Sequence, residues 1–182
     1  MLNLAKKPTL LFSKRLANIK YSQLIIKDLE GMKAISKLWL KENYILASYI
    51  INLVATWQVF IQELGEYGTK ELLKRNKNNQ IAAIIQTNLE QNIKKFNTPK
   101  PENIDSFLMS TLGIQKITSK LKDSKKKKSI LNEILQIRNE IAHEGFTAKQ
   151  LTLLKNFNYM EILLHIGEEL ETILLDFLKT AQ

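Results

Sequence analysis

Apolar residues recur at helical spacing along almost the whole chain, and no segment alternates like a β-strand for more than a few residues. The clearest pattern is in the first half of the chain, where six apolar residues share one helix face: Tyr49, Leu53, Trp57, Phe60, Ile61 and Leu64. This pattern predicts a core helix that can continue past Gly65 and Gly68 to Arg75. The Trp57 and Tyr49 rings are predicted to lie in the core and not to act as base-stacking platforms.

The flanking segments predict three more helices. A first helix is expected from near Pro8, a residue favoured in a first turn, through the thirties, with an interruption or bend at Gly31. A third covers roughly Gln80 to Phe96 and is followed by a proline-containing turn at 97–101. A short helix then begins with Glu102 in its first turn and ends near Gly113.

The second half of the chain predicts a helix over Ser129–Glu144, followed by one or two helices to about Lys179. Its apolar stripe consists of Ile130, Ile134, Ile137 and Ile141. Gly145 is expected to cap this helix, and Thr147 with Gln150 matches a capping box for the next one. The fold class is therefore all-α, a helical bundle of four to five main helices. We expect a basic N-terminal helical extension over 1–40 and a helical domain over 41–182.

Composition excludes several kinds of site. The 182 residues are 45% hydrophobic, which is enough to bury a core, and they include no cysteine. Disulfide frameworks, thiolate nucleophiles and zinc–cysteine sites are therefore excluded. No apolar stretch approaches the ~18 residues that a bilayer-spanning helix needs. We expect a soluble, cytoplasmic protein with no membrane partner.

The net charge of +9 has two readings. A basic chain can bind nucleic acid. Alternatively, the charge reflects codon bias in an AT-rich genome, because only three of the 27 basic residues are arginine. The lysine run Lys125–Lys128, together with Lys122, is likewise either a set of RNA phosphate contacts or a solvated loop. Its closeness in sequence to Arg138 favours RNA binding, at a flanking nucleotide.

One group of residues suits catalysis: Arg138, Asn139 and His143, at the end of the predicted helix. Histidine can transfer protons near neutral pH, arginine can stabilise charge on a phosphorane, and asparagine can hydrogen-bond phosphate or ribose. These residues suit phosphodiester cleavage without a metal or other cofactor. Arg138 and His143 are offset by about 140° around a regular helix, so they converge if the helix end frays or if two copies meet across a dimer axis. The same spacing can also arise by chance. His165, on an apolar and acidic helix, is predicted to be structural, either capped or partly buried.

The hexad Arg138-Asn139-Glu140-Ile141-Ala142-His143 resembles the ribonuclease motif of the HEPN superfamily, in which an Arg and a polar residue precede a His. The segment 48–61 is similar to the aromatic first core helix of its RiboL-PSP-HEPN branch. The resemblance covers roughly Lys41 to the C-terminus. Some relatives carry an acidic residue where this chain has Gln58, so no carboxylate role is assigned there.

This resemblance implies a helical bundle, a homodimer with a composite active site, and metal-independent RNA cleavage in which the 2′-hydroxyl is the nucleophile. The family includes toxins of toxin–antitoxin and phage-defence systems, so a nucleotidyltransferase-type antitoxin is a candidate partner. We therefore expect an endoribonuclease with Arg138, Asn139 and His143 at its active site. The alternative is a non-catalytic helical module that binds a partner protein or RNA.

Overall fold

A computed structural model describes residues 7–32, 37–75 and 78–180 of the chain. Within these ranges the protein is all-α, as predicted, with six α-helices and one short 3₁₀ helix. The α-helices are α1 (Pro8–Gly31), α2 (Leu38–Leu73), α3 (Asn79–Lys95), α4 (Pro101–Leu112), α5 (Ser124–Glu144) and α6 (Leu153–Thr180), and the 3₁₀ helix is Ile117–Lys120. The predicted interruption at Gly31 is the end of α1, and the rest of the predicted first helix falls at 33–36, outside the described residues.

Helix α2 is the central element of the bundle. The six residues that share its predicted apolar face are all buried. The helix continues through Gly65 and Gly68. Both positions lack a side chain where α4 passes close to α2. A Cβ on Gly65 would lie 2.7 Å from Phe107 Cε1, and one on Gly68 would lie 2.6 Å from Leu112 Cδ1. The absence of a side chain at these positions therefore sets how closely α2 and α4 pack.

Helix α1 packs antiparallel to α6 and covers one side of α2. Its Thr9 lies near the end of α6, where the backbone N–H and the hydroxyl donate to Glu171 at 2.9 and 2.7 Å. Lys20 lies near the start of α6, with its ammonium 5.3 Å from the centre of the Phe157 ring. Phe12 of α1 is fully buried against α2. The division of the chain at residue 40 stays a prediction.

Helix α2 is also long and apolar enough, by length and composition alone, to cross a membrane. An 18-residue window within it has a mean hydropathy of 1.6, and 44% of that window is buried in the bundle. The expectation that no segment is apolar enough to span a bilayer is therefore wrong as stated. The core helix of a soluble bundle passes the same test, so the finding is weak evidence for a membrane span.

Helix α5 begins at Ser124, five residues before the predicted start, and takes in the lysine run. The prediction was wrong because 124–129 lack an apolar stripe. Two contacts compensate for the repulsion between these lysines. The Lys127 ammonium lies 2.6 Å from Glu169 of α6, and Lys128 donates to the Ser119 hydroxyl at 2.8 Å.

Helix α6 begins at Leu153, and its cap is Thr152 and not the predicted Thr147. The Thr152 hydroxyl accepts a hydrogen bond from the Lys155 N–H at 3.1 Å, which satisfies one of the free donors of the first turn. The Thr147 hydroxyl instead donates to the Glu140 carboxylate of α5. The pattern Thr147-x-x-Gln150 is thus a capping box in sequence only.

Candidate active site

Arg138, Asn139 and His143 lie in the last two turns of α5. Ile137 and Ile141 are buried and anchor this part of the helix to the core, as their spacing predicted. Asn139 and His143 are exposed, whereas Arg138 is half-buried at the edge of the helix. Gly145 follows with φ of 78°, and its N–H donates to the Ile141 carbonyl at 2.9 Å. This C-cap ends the helix immediately after His143, as predicted.

The Arg138 guanidinium turns toward the exposed face of α5. Its Nη1 donates to Asn139 Oδ1 at 2.9 Å. Asn139 and His143 are four residues apart and share that face. The side chain of Arg138 thus offsets part of the roughly 140° that separates the backbone positions of Arg138 and His143. One helix therefore presents a guanidinium and an amide in contact with each other, on the face that also exposes the imidazole.

The same exposed face continues along the whole of α5. Lys125 and His143 are eighteen residues apart, which is five helical turns, so they point in about the same direction roughly 27 Å apart. Ser129, Asn132 and Gln136 lie between them and are also exposed. This face carries hydroxyl, amide and cationic groups.

A side-chain network fixes the loop that follows the site. Glu140, inside the hexad, accepts hydrogen bonds from Thr147 and from Gln136, the latter at 3.0 Å. Two turns earlier, Glu133 accepts from Lys149 at 3.0 Å and from the Tyr159 hydroxyl at 2.9 Å. The loop is therefore held on α5, and the helix end that carries His143 is held with it.

The charges of this network are reflected in two pKa shifts. The hydrogen bond from Lys149 lowers the pKa of the Glu133 carboxyl, although partial burial opposes this effect. Burial raises the pKa of the Tyr159 phenol, and its hydrogen bond to Glu133 raises it further. Glu133 is therefore ionised and Tyr159 neutral near neutral pH. The sequence gives no signal for this network, because its members are brought together only by the turn at 145–152.

Among the described residues, no three His, Asp or Glu side chains lie close enough to form a metal site. The sequence pattern of the RiboL-PSP-HEPN family matches residues 17–176. The chain belongs to the RiboL-PSP-HEPN family. No curated protein and no solved structure matches it.

Ribonuclease activity is typical of HEPN proteins. The match to this RiboL-PSP-HEPN chain begins at residue 17, inside α1, so it reaches further toward the N-terminus than the resemblance seen from Lys41 onward. The HEPN hexad and the early aromatic helix both lie within the matched range. Helices α2 and α5, which carry these two signals, pack against each other in the bundle.

Gln58, the position at which some HEPN relatives carry an acidic residue, has a structural contact here. It is half-buried, and its Nε2 donates to the Phe96 carbonyl at 3.1 Å. A carboxylate could not make this donation. The amide at this position therefore supports the turn after α3 in this HEPN chain.

The lysines predicted to bind RNA differ in whether their ammonium groups already have a partner in the protein. Lys122, Lys125 and Lys126 are exposed and form no ion pair within the part of the chain that the structure describes. Lys127 is committed to Glu169, and Lys128 to Ser119. Because α5 is continuous, Lys128 lies about 15 Å along the helix from Arg138. The run is thus part of a helix and not a loop, and the structure does not bring it into contact with the hexad.

His165 is not partly buried, so that part of the prediction was wrong. Its side chain is 70% exposed, and its Nδ1 lies 3.1 Å from a Glu168 carboxylate oxygen one turn away. It lines an open cavity of about 470 Å³ together with Lys120 and Lys122. The prediction of burial rested on its four apolar neighbours in sequence. His165 itself lies on the outer face of α6.

Proposed function

We propose that this protein is a metal-independent endoribonuclease. The observation that carries the proposal is the hexad at the capped end of α5, where the Arg138 guanidinium is held by Asn139 on the face that exposes His143. Membership of a family in which ribonucleases are typical supports it. The groups available are those needed to bind a phosphate, stabilise added negative charge and transfer a proton.

In the proposed reaction, the 2′-hydroxyl of the substrate attacks the adjacent phosphorus. The new P–O2′ bond forms as the P–O5′ bond breaks, which gives a 2′,3′-cyclic phosphate and a 5′-hydroxyl. His143 takes the 2′-hydroxyl proton or gives one to the leaving 5′-oxygen. Arg138 binds the scissile phosphate through its planar fork of donors and stabilises the charge that develops there. Asn139 positions the guanidinium and hydrogen-bonds phosphate or ribose.

This reaction predicts products and requirements that a single assay can check. Cleavage of single-stranded RNA should continue in excess chelator, because the proposed steps use only protein groups and the substrate hydroxyl. DNA of the same sequence should resist cleavage because it lacks the 2′-hydroxyl. Mass spectrometry should find 2′,3′-cyclic phosphate and 5′-hydroxyl ends. Equal cutting of DNA, or products with 5′-phosphates, would rule out this mechanism.

The proposal includes a homodimer in which two copies of α5 meet. Each His143 is exposed, and the reaction needs a base at the 2′-oxygen and an acid at the 5′-oxygen, on opposite sides of the phosphorus. Two copies across a two-fold axis could divide these roles in one cleft.

We accordingly expect light scattering to find a dimer at micromolar concentration. Asn132→Arg, which adds a charge on the exposed face of α5, should shift the protein toward monomer and lower activity together. The control change Gln91→Arg, which replaces an exposed amide on α3 with the same charged side chain, should do neither. A wild-type monomer that retains full activity would contradict the composite site.

The proposal assigns RNA contacts to Lys122, Lys125, Lys126, Lys127 and Lys128. The lysines whose ammonium groups form no ion pair or hydrogen bond among the described residues, Lys122, Lys125 and Lys126, should contribute most to RNA affinity. Lys125→Gln with Lys126→Gln should weaken RNA binding and reduce the slope of log affinity against log salt by about 0.7 per lost contact. Lys127→Gln should reduce the slope by less than the loss of either free lysine does, because its ammonium is already paired with Glu169. An unchanged slope in the double variant would mean that these lysines are only solvated.

In the cell, we propose that the protein acts in the cytoplasm as a toxin or phage-defence effector, restrained by an antitoxin of nucleotidyltransferase type. This part of the proposal rests on the family alone.

A second candidate function is a non-catalytic module that binds a partner protein. It is favoured by large apolar side chains exposed near the α1–α2 connection, with Met32 59%, Trp39 63% and Tyr44 76% exposed. The product assay above separates the two candidates.

A further inference from the structure

A second cavity lies on the α3–α4 side of the bundle. It has a volume of about 330 Å³ and is lined by residues from the end of α3, the following turn and α4. Its base is formed by Phe96 and Phe107, whose ring centres lie 4.9 Å apart. Neither the hexad nor the lysine run contributes to it. Nothing in the proposed reaction uses it.

Side-chain amides and hydroxyls around this cavity have unused hydrogen-bonding capacity. Asn103 donates its Nδ2 to the Thr98 carbonyl at 2.9 Å, which leaves its Oδ1 as an acceptor. Ser106 donates to the Glu102 carbonyl at 2.8 Å and keeps its lone pairs. Asn97 is exposed, and its amide makes no hydrogen bond within the described residues.

The walls of the cavity are held in place by α2. Trp57 Nε1 donates to the Pro99 carbonyl at 3.4 Å, and Gln58 Nε2 donates to the Phe96 carbonyl at 3.1 Å. Both acceptors belong to the turn that carries Asn97. Because a buried helix holds the backbone of this turn, the position of Asn97 is fixed before a ligand binds, which lowers the entropic cost of binding.

The charge of the lining residues indicates which class of ligand the cavity binds. Among the residues that the structure describes, no carboxylate lines the cavity, and its one charged group is Lys95, at the C-terminal end of α3. This lining fits a ligand that has a neutral hydrogen-bonding group, which the amides and hydroxyls contact, and an anionic group, which Lys95 contacts. Amides pair with the donor and acceptor edges of bases, and unstacked RNA bases are recognised in this way against aromatic rings. The volume is at the lower end of the range for small-ligand pockets, which suits one nucleotide.

We propose that the cavity between α3 and α4 binds one unpaired base of the RNA, with Lys95 contacting its phosphate. The choice of RNA as ligand rests on the proposed function. The cavity lies beside Gln58 of α2, whereas the turn that follows His143 leads to the start of α6, where Asn156 donates to the Leu46 carbonyl of α2. These α2 positions are about 18 Å apart along the helix. The bound base is therefore a flanking one, so this subsite acts on substrate choice and not on the chemical step.

The wild-type protein is titrated with each of the four ribonucleoside monophosphates and with the corresponding nucleosides. Binding is followed by ¹H–¹⁵N NMR. At least one monophosphate should give saturable shifts at Asn97 and Asn103 but not at Gln91, whose side-chain amide lies on α3 outside the cavity. Ser106→Trp, which fills the cavity from its exposed rim, should weaken this binding by about tenfold or more. Met109→Trp is its control, since Met109 is exposed on the same helix but does not line the cavity.

Lys95→Gln should weaken binding of the monophosphate but not of the nucleoside, whereas Lys94→Gln should affect neither. The overturning results are no shift with any of the four monophosphates, or equal binding by Ser106→Trp and Met109→Trp. An oligonucleotide titration of the His143→Ala protein, which should not cut its ligand, extends the test. Mononucleotide binding at the cavity without RNA cleavage by wild type would support the subsite and contradict only the proposed enzyme. Cleavage with unaltered sequence preference in Ser106→Trp would overturn only the subsite.

Discussion

His143→Ala should reduce the rate of RNA cleavage by about 10²- to 10⁴-fold, which is the usual contribution of one positioned acid–base group. The protein should remain folded. The imidazole is exposed and makes no hydrogen bond or ion pair within the described residues, while the Gly145 cap and buried Ile141 that fix the helix end are unaffected. A surface change of this kind alters the free energy of unfolding by about 0.5 kcal/mol or less. Single-turnover kinetics with thermal unfolding on the same samples would separate the two effects.

The chain supplies a matched control, because it has only one other histidine. His165 is also exposed on a helix, and its partner is the neighbouring Glu168. His165→Ala should therefore keep nearly full activity. Comparable losses in the two variants would point to a general effect of losing a surface histidine. An active His143→Ala protein would remove the site assignment altogether.

Substitution of Arg138 should also reduce the rate of RNA cleavage without unfolding the protein. Arg138→Ala should lose a comparable amount of activity, and Arg138→Lys should recover little of it. An ammonium restores the charge but lacks the planar fork that can contact Asn139 and the phosphate together.

The sequence predicted the part of the fold that depends on burial. Helix α2 was assigned correctly because its apolar residues return to one face, and the α5 stripe around Ile137 fixed which side faces solvent. That register alone implied that Asn139 and His143 share an exposed face. Gly113 and Gly145 were predicted as helix ends and have φ of 79° and 78°. In each instance the signal is local and follows from helix geometry.

The remaining features depend on contacts between residues far apart in sequence. The first turns of α5 are polar, and part of their stabilisation comes from Glu169 on α6, forty-two residues after Lys127. Thr147 matched a capping pattern, but Glu140 provides its partner. The cavity between α3 and α4 combines residues from two helices and a turn. No single stretch of sequence carries these arrangements.

Trp57→Ala should lower the free energy of unfolding by about 3–5 kcal/mol, the largest effect on stability expected of any single change considered for this chain. The Trp57 ring is 1% exposed and lies 5.3 Å from the Phe60 ring and 5.7 Å from the Phe12 ring. Its removal leaves a cavity at the contact between α1 and α2. It also leaves the Pro99 carbonyl without its indole donor. Urea unfolding followed by circular dichroism measures the change.

The other tryptophan is the control, since Trp39 is 63% exposed. Trp39→Ala should change the free energy of unfolding by no more than about 0.5 kcal/mol. Trp39→Phe leaves Trp57 as the single indole reporter, and its emission should be blue-shifted in the folded protein and shift to the red in urea. A folded domain typically has about 5–15 kcal/mol of stability, so Trp57→Ala should be partly unfolded at physiological temperature if this protein lies at the low end. Equal small losses at Trp57 and Trp39 would mean that the α1–α2 contact is not part of the core, and that α1 can leave the bundle at little cost.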